Sequence, residues 1–172
     1  MLTDIIIKRR TVRSFKDKKV DRETLEKLLM YASMGPSNGN IHPVEFLIID
    51  DKEKIEELSK MDSYSTAYLK ECPCVIIFMA DSVISKTWME ECAIVASYFQ
   101  LLAEEEGLNT AWINVVRGST SDKIPYSEYF EKNFGIKDPY KAMCLVPVGY
   151  KKHGTKNHEE FDVSEKVHYN KF

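Results

Sequence analysis

Two clusters of polar residues near the start of the chain are suited to holding an anion and a polar ligand. The first, here called the arginine segment (residues 9–13), contains three guanidinium groups and a hydroxyl: Arg9, Arg10, Thr11 and Arg13. Guanidinium groups donate paired, charge-assisted hydrogen bonds to phosphate oxygens. The second, the Pro36 loop (residues 36–43), reads Pro-Ser-Asn-Gly-Asn-Ile-His-Pro, and such small and amide residues let backbone N–H groups approach a ligand closely. The residues alone predict a site for a phosphate attached to a further polar group.

The order and spacing of these clusters resemble the FMN-dependent nitroreductase family. Arg-Arg-Thr-x-Arg at 9–13 is close to the family's usual Arg-Arg-Ser-x-Arg, and Pro-Ser-x-x-Asn-x-x-Pro at 36–43 is close to Pro-Ser-x-x-Asn-x-Gln-Pro. The resemblance continues through Gly-Leu-Asn-Thr-Ala-Trp at 107–112, Val-Pro-Val-Gly-Tyr at 146–150 and Val-His-Tyr at 167–169. It therefore covers nearly the whole chain.

This resemblance implies an α+β, three-layer fold with a central, mainly antiparallel or mixed sheet flanked by helices. Residues 1–172 would form a single flavin-binding domain, and the length of the chain suits one domain. The extension 151–172 is mostly polar and charged, without a periodicity that could bury it, yet it ends in apolar residues. In the family such an extension reaches across a homodimer, so we expect this one to pack on the partner subunit, with each flavin at the interface.

The resemblance also assigns flavin contacts to residues of this chain. The arginine segment would hold the phosphate and ribityl end of FMN through Arg9, Arg10, Thr11 and Arg13. Residues of the Pro36 loop would approach the flavin from the partner subunit: Pro36, Ser37, Asn38 and Asn40. Asn114 and Val115 match the segment whose backbone N–H points at the reactive N5 atom. Lys156 matches a cationic residue near the phosphate.

Three places depart from the family pattern or have no clear assignment. His158 stands where the family has a second cation, and histidine is only partly charged at neutral pH, so Lys156 alone is predicted to contribute charge there. His42 stands where the family usually has glutamine, and a packing or hydrogen-bonding role is favoured over acid–base chemistry. The polar contact to the pyrimidine ring falls between residues 61 and 70, where several side chains are candidates.

The activity implied is that of an FMN-dependent oxidoreductase, which passes hydride from NADH or NADPH through the flavin N5 to a nitroaromatic, a quinone or a similar acceptor. The cofactor carries this chemistry, so no catalytic side chain is predicted. Two alternatives stay open: a specialised flavin reductase, acting as a dehalogenase or on activated alkenes, and a flavin-binding sensor or carrier without turnover. No histidine has a partner at triad-like or metal-ligand spacing, so neither hydrolysis nor a metal site is predicted.

Composition favours a small anionic ligand over nucleic acid as the partner of this chain. The net charge of −3 argues against a nucleic-acid-binding protein, and the positive charge is local, with seven basic residues and one acidic residue at 8–19. No apolar run approaches the ~20 residues needed to cross a bilayer, and the first residues lack a signal-peptide pattern. We therefore expect a cytoplasmic protein without a membrane partner. The cysteines are expected to be buried free thiols: Cys72, Cys74, Cys92 and Cys144.

Apolar periodicity predicts the elements that must position these clusters. Helices are predicted over residues 3–8, 21–35, 52–60, 88–106 and 124–134. Strands are predicted over residues 44–49, 74–80, 110–116 and 142–148. Asp21 is a suitable N-cap, and Gly107 and Gly135 are suited to ending the helices before them. The helix over 88–106 is apolar around most of its surface, which predicts that it lies in a core or an interface.

Overall fold

The computed structural model describes residues 1–172, which form five α-helices and five strands. The helices are α1 (Leu2–Lys8), α2 (Arg22–Ala32), α3 (Lys52–Ser59), α4 (Trp88–Glu105) and α5 (Tyr126–Phe134). The strands are β1 (Val44–Ile49), β2 (Cys74–Asp81), β3 (Asn109–Thr110), β4 (Ile113–Asn114) and β5 (Tyr140–Gly149). Short 3-10 turns occur at Asn38–Asn40, Ala67–Glu71 and Ser164–Lys166.

Capping residues account for the ends of the main helices. Asp21 begins α2, because its side chain accepts a hydrogen bond from the backbone N–H of Thr24 at 2.8 Å, which satisfies a free amide of the first turn. The inward face of α2 consists of Leu25, Leu28, Leu29 and Ala32. Gly107 follows α4 at φ +74° and Gly135 follows α5 at φ +71°. This left-handed conformation is the one that glycine adopts most easily.

The sheet has the strand order β1-β2-β5-β3, and β4 also pairs with β5. All of these pairings are antiparallel. β2 and β5 form the centre, and their register joins Cys74 to Val148 and Asp81 to Tyr140. The prediction that residues 74–80 form a central strand is confirmed.

Helices cover both faces of the sheet and create two cores. On one face, α2 and α4 pack on Ile76 and Phe78 of β2, with Phe99 at the centre of the cluster. On the other face, α3 and α5 pack on Ile77, with Phe130 fully buried against it. Because successive residues of a strand point to opposite faces, β2 contributes to both cores. The predicted three-layer α+β architecture is therefore confirmed.

The structure corrects the predicted bounds of one strand and two helices. Residues 110–116 do not form one strand, because Pro147 of β5 lies opposite Ala111 and has no N–H to donate. The Ala111 N–H does donate to the Pro147 carbonyl oxygen at 3.2 Å, but the ladder is interrupted there and divides into β3 and β4. Helix α5 begins at Tyr126 rather than at residue 124, since Pro125 occupies the N-cap position with extended ψ. Helix α2 ends at Ala32, ahead of Pro36.

The extension 151–172 is exposed almost throughout. Its large apolar residues lie at the surface of the chain: Phe161, Val163, Val167, Tyr169 and Phe172. Elsewhere, all four cysteines are free and buried, as predicted, and burial raises the pKa of Cys72 to about 12. The thiols are therefore protonated at neutral pH. No helix of the chain is both long enough and apolar enough to cross a bilayer.

Candidate functional site

The arginine segment runs along the sheet beside β3. The backbone N–H of Val12 donates to the carbonyl oxygen of Thr110 at 2.9 Å. Val12 is buried, while Thr11 and Arg13 on either side of it are exposed, because successive side chains of an extended segment point in opposite directions. The packing of Val12 therefore presents the hydroxyl and the guanidinium to solvent.

Arg10 joins the arginine segment to the beginning of the C-terminal extension. Its Nη1 atom donates to the carbonyl oxygens of Lys156 at 2.8 Å and Asn157 at 3.0 Å. The backbone N–H of His158 donates to the carbonyl oxygen of Ile7 at 2.9 Å. The structure thus brings Lys156 and His158 next to the arginine segment, where the side chain of Lys156 is exposed.

A cavity of about 480 Å³ opens beside Arg13. Its lining residues come from three parts of the chain: Arg13, Tyr64, Ser65, Tyr68, Trp112, Ile113 and Asn114. Two of the predicted site residues, Arg13 and Asn114, therefore share one cavity. Tyr64, Ser65 and Tyr68 come from the 61–70 region, in which sequence analysis assigned no contact. Aromatic and hydroxyl side chains in this region were the sequence signal for a ligand contact. Only the folded structure shows which of these side chains line the cavity with Arg13.

Tyr68 has a buried hydroxyl without a hydrogen-bond partner. Burial raises the pKa of Tyr68 to about 12, although the nearby Arg13 charge opposes this rise. The Arg13 guanidinium is close enough to lower the pKa of this hydroxyl, but their geometry is not that of a hydrogen bond. Since buried polar groups are nearly always paired, this hydroxyl is suited to a polar ligand in the cavity.

The backbone amides of β4 alternate in direction. Val115 N–H donates to the carbonyl oxygen of Met143 at 3.0 Å, and Val116 N–H donates to Oδ1 of Asn114 at 3.0 Å. In an antiparallel ladder, the residue between two that donate to the neighbouring strand points its N–H the other way. Ala111 and Val115 donate to β5 from every second position of this ladder, and Asn114 occupies an intervening position, so its N–H points away from β5. Sequence analysis placed a ligand-facing backbone N–H at Asn114 or Val115. The N–H of Asn114 can face a ligand, whereas that of Val115 is already bonded to Met143.

The Pro36 loop is held by a buried carboxylate that sequence analysis missed. Glu91, in the first turn of α4, accepts at Oε1 from Ser37 Oγ at 2.9 Å and from Asn38 N–H at 2.7 Å. Its Oε2 atom accepts from Ser85 Oγ at 2.7 Å. Burial raises its pKa, but these hydrogen bonds and the nearby His42 outweigh burial, so the pKa lies below the ordinary value. The sequence signal for this role was an acidic residue on the otherwise apolar surface of α4.

His42 closes the loop through its own hydrogen bonds. Its backbone N–H donates to Ser37 Oγ at 2.8 Å, and its Nε2 atom lies 3.0 Å from Oδ1 of Asn40. The ring is exposed and contacts no buried carboxylate through a hydrogen bond. This arrangement agrees with a hydrogen-bonding role rather than acid–base chemistry.

The two clusters lie at opposite ends of α4 within one chain. The Pro36 loop is bound to Glu91 in the first turn. At the other end, Glu104 Oε2 accepts from Asn109 Nδ2 at 3.1 Å, and the neighbouring Thr110 holds the arginine segment. Glu91 and Glu104 are about three and a half turns apart, roughly 20 Å along the helix. One chain therefore does not bring the two predicted halves of the site together.

The donors near the cavity are suited to binding and orienting an anionic, aromatic ligand. They comprise guanidinium groups, hydroxyls and a backbone amide, without a nucleophile and base in contact. No group of three or more histidine, cysteine, aspartate or glutamate side chains is placed to hold a metal ion.

The sequence of the chain matches a known protein family. The sequence pattern that describes the nitroreductase family matches residues 6–67 and 60–150. The chain belongs to the nitroreductase family. Membership confirms the resemblance that the two motifs indicate, and it makes the chain an oxidoreductase enzyme, as predicted.

Individual known proteins resemble the chain along most of its length. An FMN-dependent nitroreductase from Clostridium difficile is 34% identical, with a TM-score of 0.91 and 98% of each chain covered. A protein of Methanothermobacter thermautotrophicus, provisionally named an NADH dehydrogenase/NAD(P)H nitroreductase, is 27% identical over 95% of this chain and 84% of its own. An iodotyrosine deiodinase of Thermotoga neapolitana is 28% identical over 87% of this chain and 88% of its own.

Proposed function

We propose that the protein is an FMN-dependent oxidoreductase that transfers hydride from NADH or NADPH to a small-molecule acceptor such as a nitroaromatic or a quinone. The observation that carries the proposal is the cavity that Arg13 shares with Tyr68 and Asn114, in a chain of the nitroreductase family. FMN, when bound, supplies the hydride-accepting and hydride-donating chemistry. The residues of the chain bind and orient it.

The donor set around the cavity fits a flavin mononucleotide. The phosphate and ribityl end would be held by Arg9, Arg10, Thr11, Arg13 and Lys156. These cations suit a phosphate, because guanidinium groups pair with its oxygens. The unpaired Tyr68 hydroxyl offers a hydrogen bond to the polar edge of the ring, in the region where the pyrimidine contact was unassigned.

The Asn114 amide is the donor that we assign to the reactive edge of the flavin. Its N–H points away from β5, whereas the Val115 N–H is bonded to Met143. A fixed backbone donor at that edge stabilises negative charge on the reduced ring without reorganising. Val115 would then serve by burying its side chain and holding β4 in register rather than by donating.

The second half of the site would come from another copy of the chain. The Pro36 loop lies at the opposite end of α4 from the arginine segment, so Pro36, Ser37, Asn38 and Asn40 reach the flavin only from a partner. Unpaired apolar surface supports this homodimer: α1 has no buried residue, and the extension exposes five large apolar side chains. A partner that received the extension would cover them.

A flavin titration followed by anaerobic reduction tests the proposal. Flavin-free protein is titrated with FMN by fluorescence, beside a double Arg10→Ala, Arg13→Ala variant. The loaded protein is then mixed anaerobically with NADH and with NADPH, followed by a nitroaromatic and a quinone. A protein that does not bind FMN would contradict the proposal. Binding without bleaching of the flavin by either nicotinamide would instead support a flavin sensor or carrier.

A second candidate is reductive dehalogenation of an aromatic substrate. It is favoured by the similarity to an iodotyrosine deiodinase along 87% of this chain. The same flavin site serves both reactions, so the acceptor decides between them. Adding an iodotyrosine to the reduced protein separates the two: release of iodide faster than reduction of nitroaromatics and quinones supports the dehalogenase.

A further inference from the structure

Glu91 is the one charged residue among the buried polar side chains of the chain, with 3% of its surface exposed. A buried carboxylate is costly unless each oxygen accepts hydrogen bonds. Here both oxygens do: two of the three donors belong to the Pro36 loop, and the third, Ser85, precedes α4. The position at the beginning of an 18-residue helix also favours negative charge. An apolar residue like the neighbouring Cys92 and Val95 would be sufficient for packing at this position, so the carboxylate is explained by the hydrogen bonds that its Oε1 atom accepts from the loop.

The loop needs such a support because of its backbone. Gly39, Asn40 and His42 have φ of +59°, +58° and +50°. Residues with a Cβ rarely adopt this left-handed conformation, and it persists when the surroundings determine it. Glu91 holds Ser37 and Asn38, which precede the left-handed residues, and Ser37 Oγ in turn accepts from the N–H of His42, the last of them. One carboxylate thus fixes both ends of the strained turn.

We propose that Glu91 is a positioning residue that holds the Pro36 loop in the conformation in which it meets the flavin of the partner subunit. The inference rests on the proposed FMN site, since Ser37 and Asn38 act there only if the flavin lies between two chains. Glu91 itself does not contact the cofactor. It acts through Ser37 and Asn38, whose free hydrogen-bonding groups and orientation it determines.

The test compares three variants of the full chain. Glu91→Ala removes the acceptor for both loop donors. Glu91→Gln keeps an oxygen at the Oε1 position for Ser37 and Asn38, while its amide nitrogen can donate to Ser85 Oγ. Glu90→Ala is the matched control, because Glu90 lies in the same helical turn and is exposed. Each is measured by FMN titration of the flavin-free protein and by hydrogen exchange of the Asn38 and His42 amides.

We expect Glu91→Ala to bind FMN at least about tenfold more weakly, as for the loss of charge-assisted hydrogen bonds, and to lose protection of both amides. Glu91→Gln and Glu90→Ala should stay within about threefold of the parent affinity, with both amides protected. Unchanged FMN affinity in Glu91→Ala overturns the inference. So does an equal loss in Glu91→Gln, because that result would show a need for charge rather than for the loop geometry.

Two further variants separate this inference from the proposed function. If Arg10→Ala weakens FMN binding and Glu91→Ala does not, the inference fails while the FMN site stands. If neither protein nor variant binds FMN, the proposed function itself fails, and the amide protection still reports on the loop. If Glu91→Ala does not fold, Glu91→Asp replaces it in the test, because the shorter side chain keeps the charge but does not reach the loop donors. Weakened FMN binding by Glu91→Asp supports the inference, and binding like that of the parent overturns it.

Discussion

Arg10 and Lys156, 146 positions apart in the chain, meet through a hydrogen bond from Arg10 Nη1 to the Lys156 carbonyl oxygen at 2.8 Å. The same Nη1 also donates to the Asn157 carbonyl oxygen. This contact fixes the beginning of the C-terminal extension against the arginine segment. It therefore places the two cationic parts of the proposed phosphate site next to each other before any ligand binds.

Replacing Arg10 with alanine should weaken FMN binding by about ten- to hundredfold, which is about 1.5–3 kcal/mol for a lost charge-assisted contact. It should also increase the proteolytic sensitivity of the extension, since the carbonyl groups of Lys156 and Asn157 lose their hydrogen-bond donor. Fluorescence titration and limited trypsin digestion measure the two effects. Arg117→Ala is the control, because Arg117 is an exposed arginine outside the site. Equal affinities for both variants would place the phosphate elsewhere.

Replacing Tyr68 with phenylalanine should have opposite effects on stability and on binding. The flavin-free protein should gain up to about 1 kcal/mol in free energy of unfolding, because a buried hydroxyl without a partner is removed. FMN affinity should fall, since the ligand loses that hydroxyl. Urea unfolding and FMN titration test this, with Tyr64→Phe as the control in the same cavity, where Tyr64 is 97% exposed. A destabilised flavin-free Tyr68→Phe protein would contradict the first expectation.

Truncation after Tyr150 should disrupt the homodimer and reduce FMN affinity. The extension exposes apolar side chains that one chain does not bury, among them Phe161 and Tyr169. Sedimentation at micromolar concentration should give a dimer for the full chain and a largely monomeric, flavin-poor species for the truncated one. A full-length monomer that retains FMN would contradict the composite site, as would a truncated protein that still forms dimers with unchanged affinity.

Acid should destabilise the protein partly through Glu91. Its pKa in the folded state lies below the ordinary value of 4.5. The stabilisation from the ionised form is therefore fully present above about pH 4.5 and is lost as the pH falls through the folded value. The urea midpoint of the parent should fall more steeply between pH 5 and pH 3, as rough limits, than that of Glu91→Gln. Glu90→Gln should follow the parent, and a parallel decline in all three proteins would contradict the expectation.

Replacing Gly149 with alanine should destabilise the fold by about 1–3 kcal/mol, the usual cost of overpacking a core. A Cβ there would lie 2.7 Å from Cγ of Pro73 and 3.0 Å from Cδ1 of Phe15. Phe15 is fully buried just beyond the arginine segment, so FMN affinity should fall as well. Gly154→Ala is the control, because nothing lies within 4 Å of its added Cβ. Thermal unfolding of the two variants provides the comparison.

Local patterns in the sequence determine most elements of this protein. The helical spacing of Leu25, Leu28 and Leu29 predicts α2 and its buried face, and the β-branched and aromatic run at Val44–Ile49 predicts β1 with the observed bounds. The arginine segment and the Pro36 loop, in that order and together with the later motifs at 107–112, 146–150 and 167–169, also indicate the family. These features depend on neighbours within a few positions, so periodicity and motif spacing are sufficient to find them.

Tertiary structure decides what depends on register and on distant contacts. Pro147 divides the strand predicted over 110–116 only because the sheet places it opposite Ala111. Glu91 supports Ser37 across 54 positions, and Tyr68 faces the cavity beside Arg13 through the fold of a separate segment. Helix packing and strand pairing determine each of these contacts, and a local sequence pattern does not predict them. The sequence by itself therefore determines most of the elements and the two family motifs, and the folded chain decides which groups hold those motifs in place.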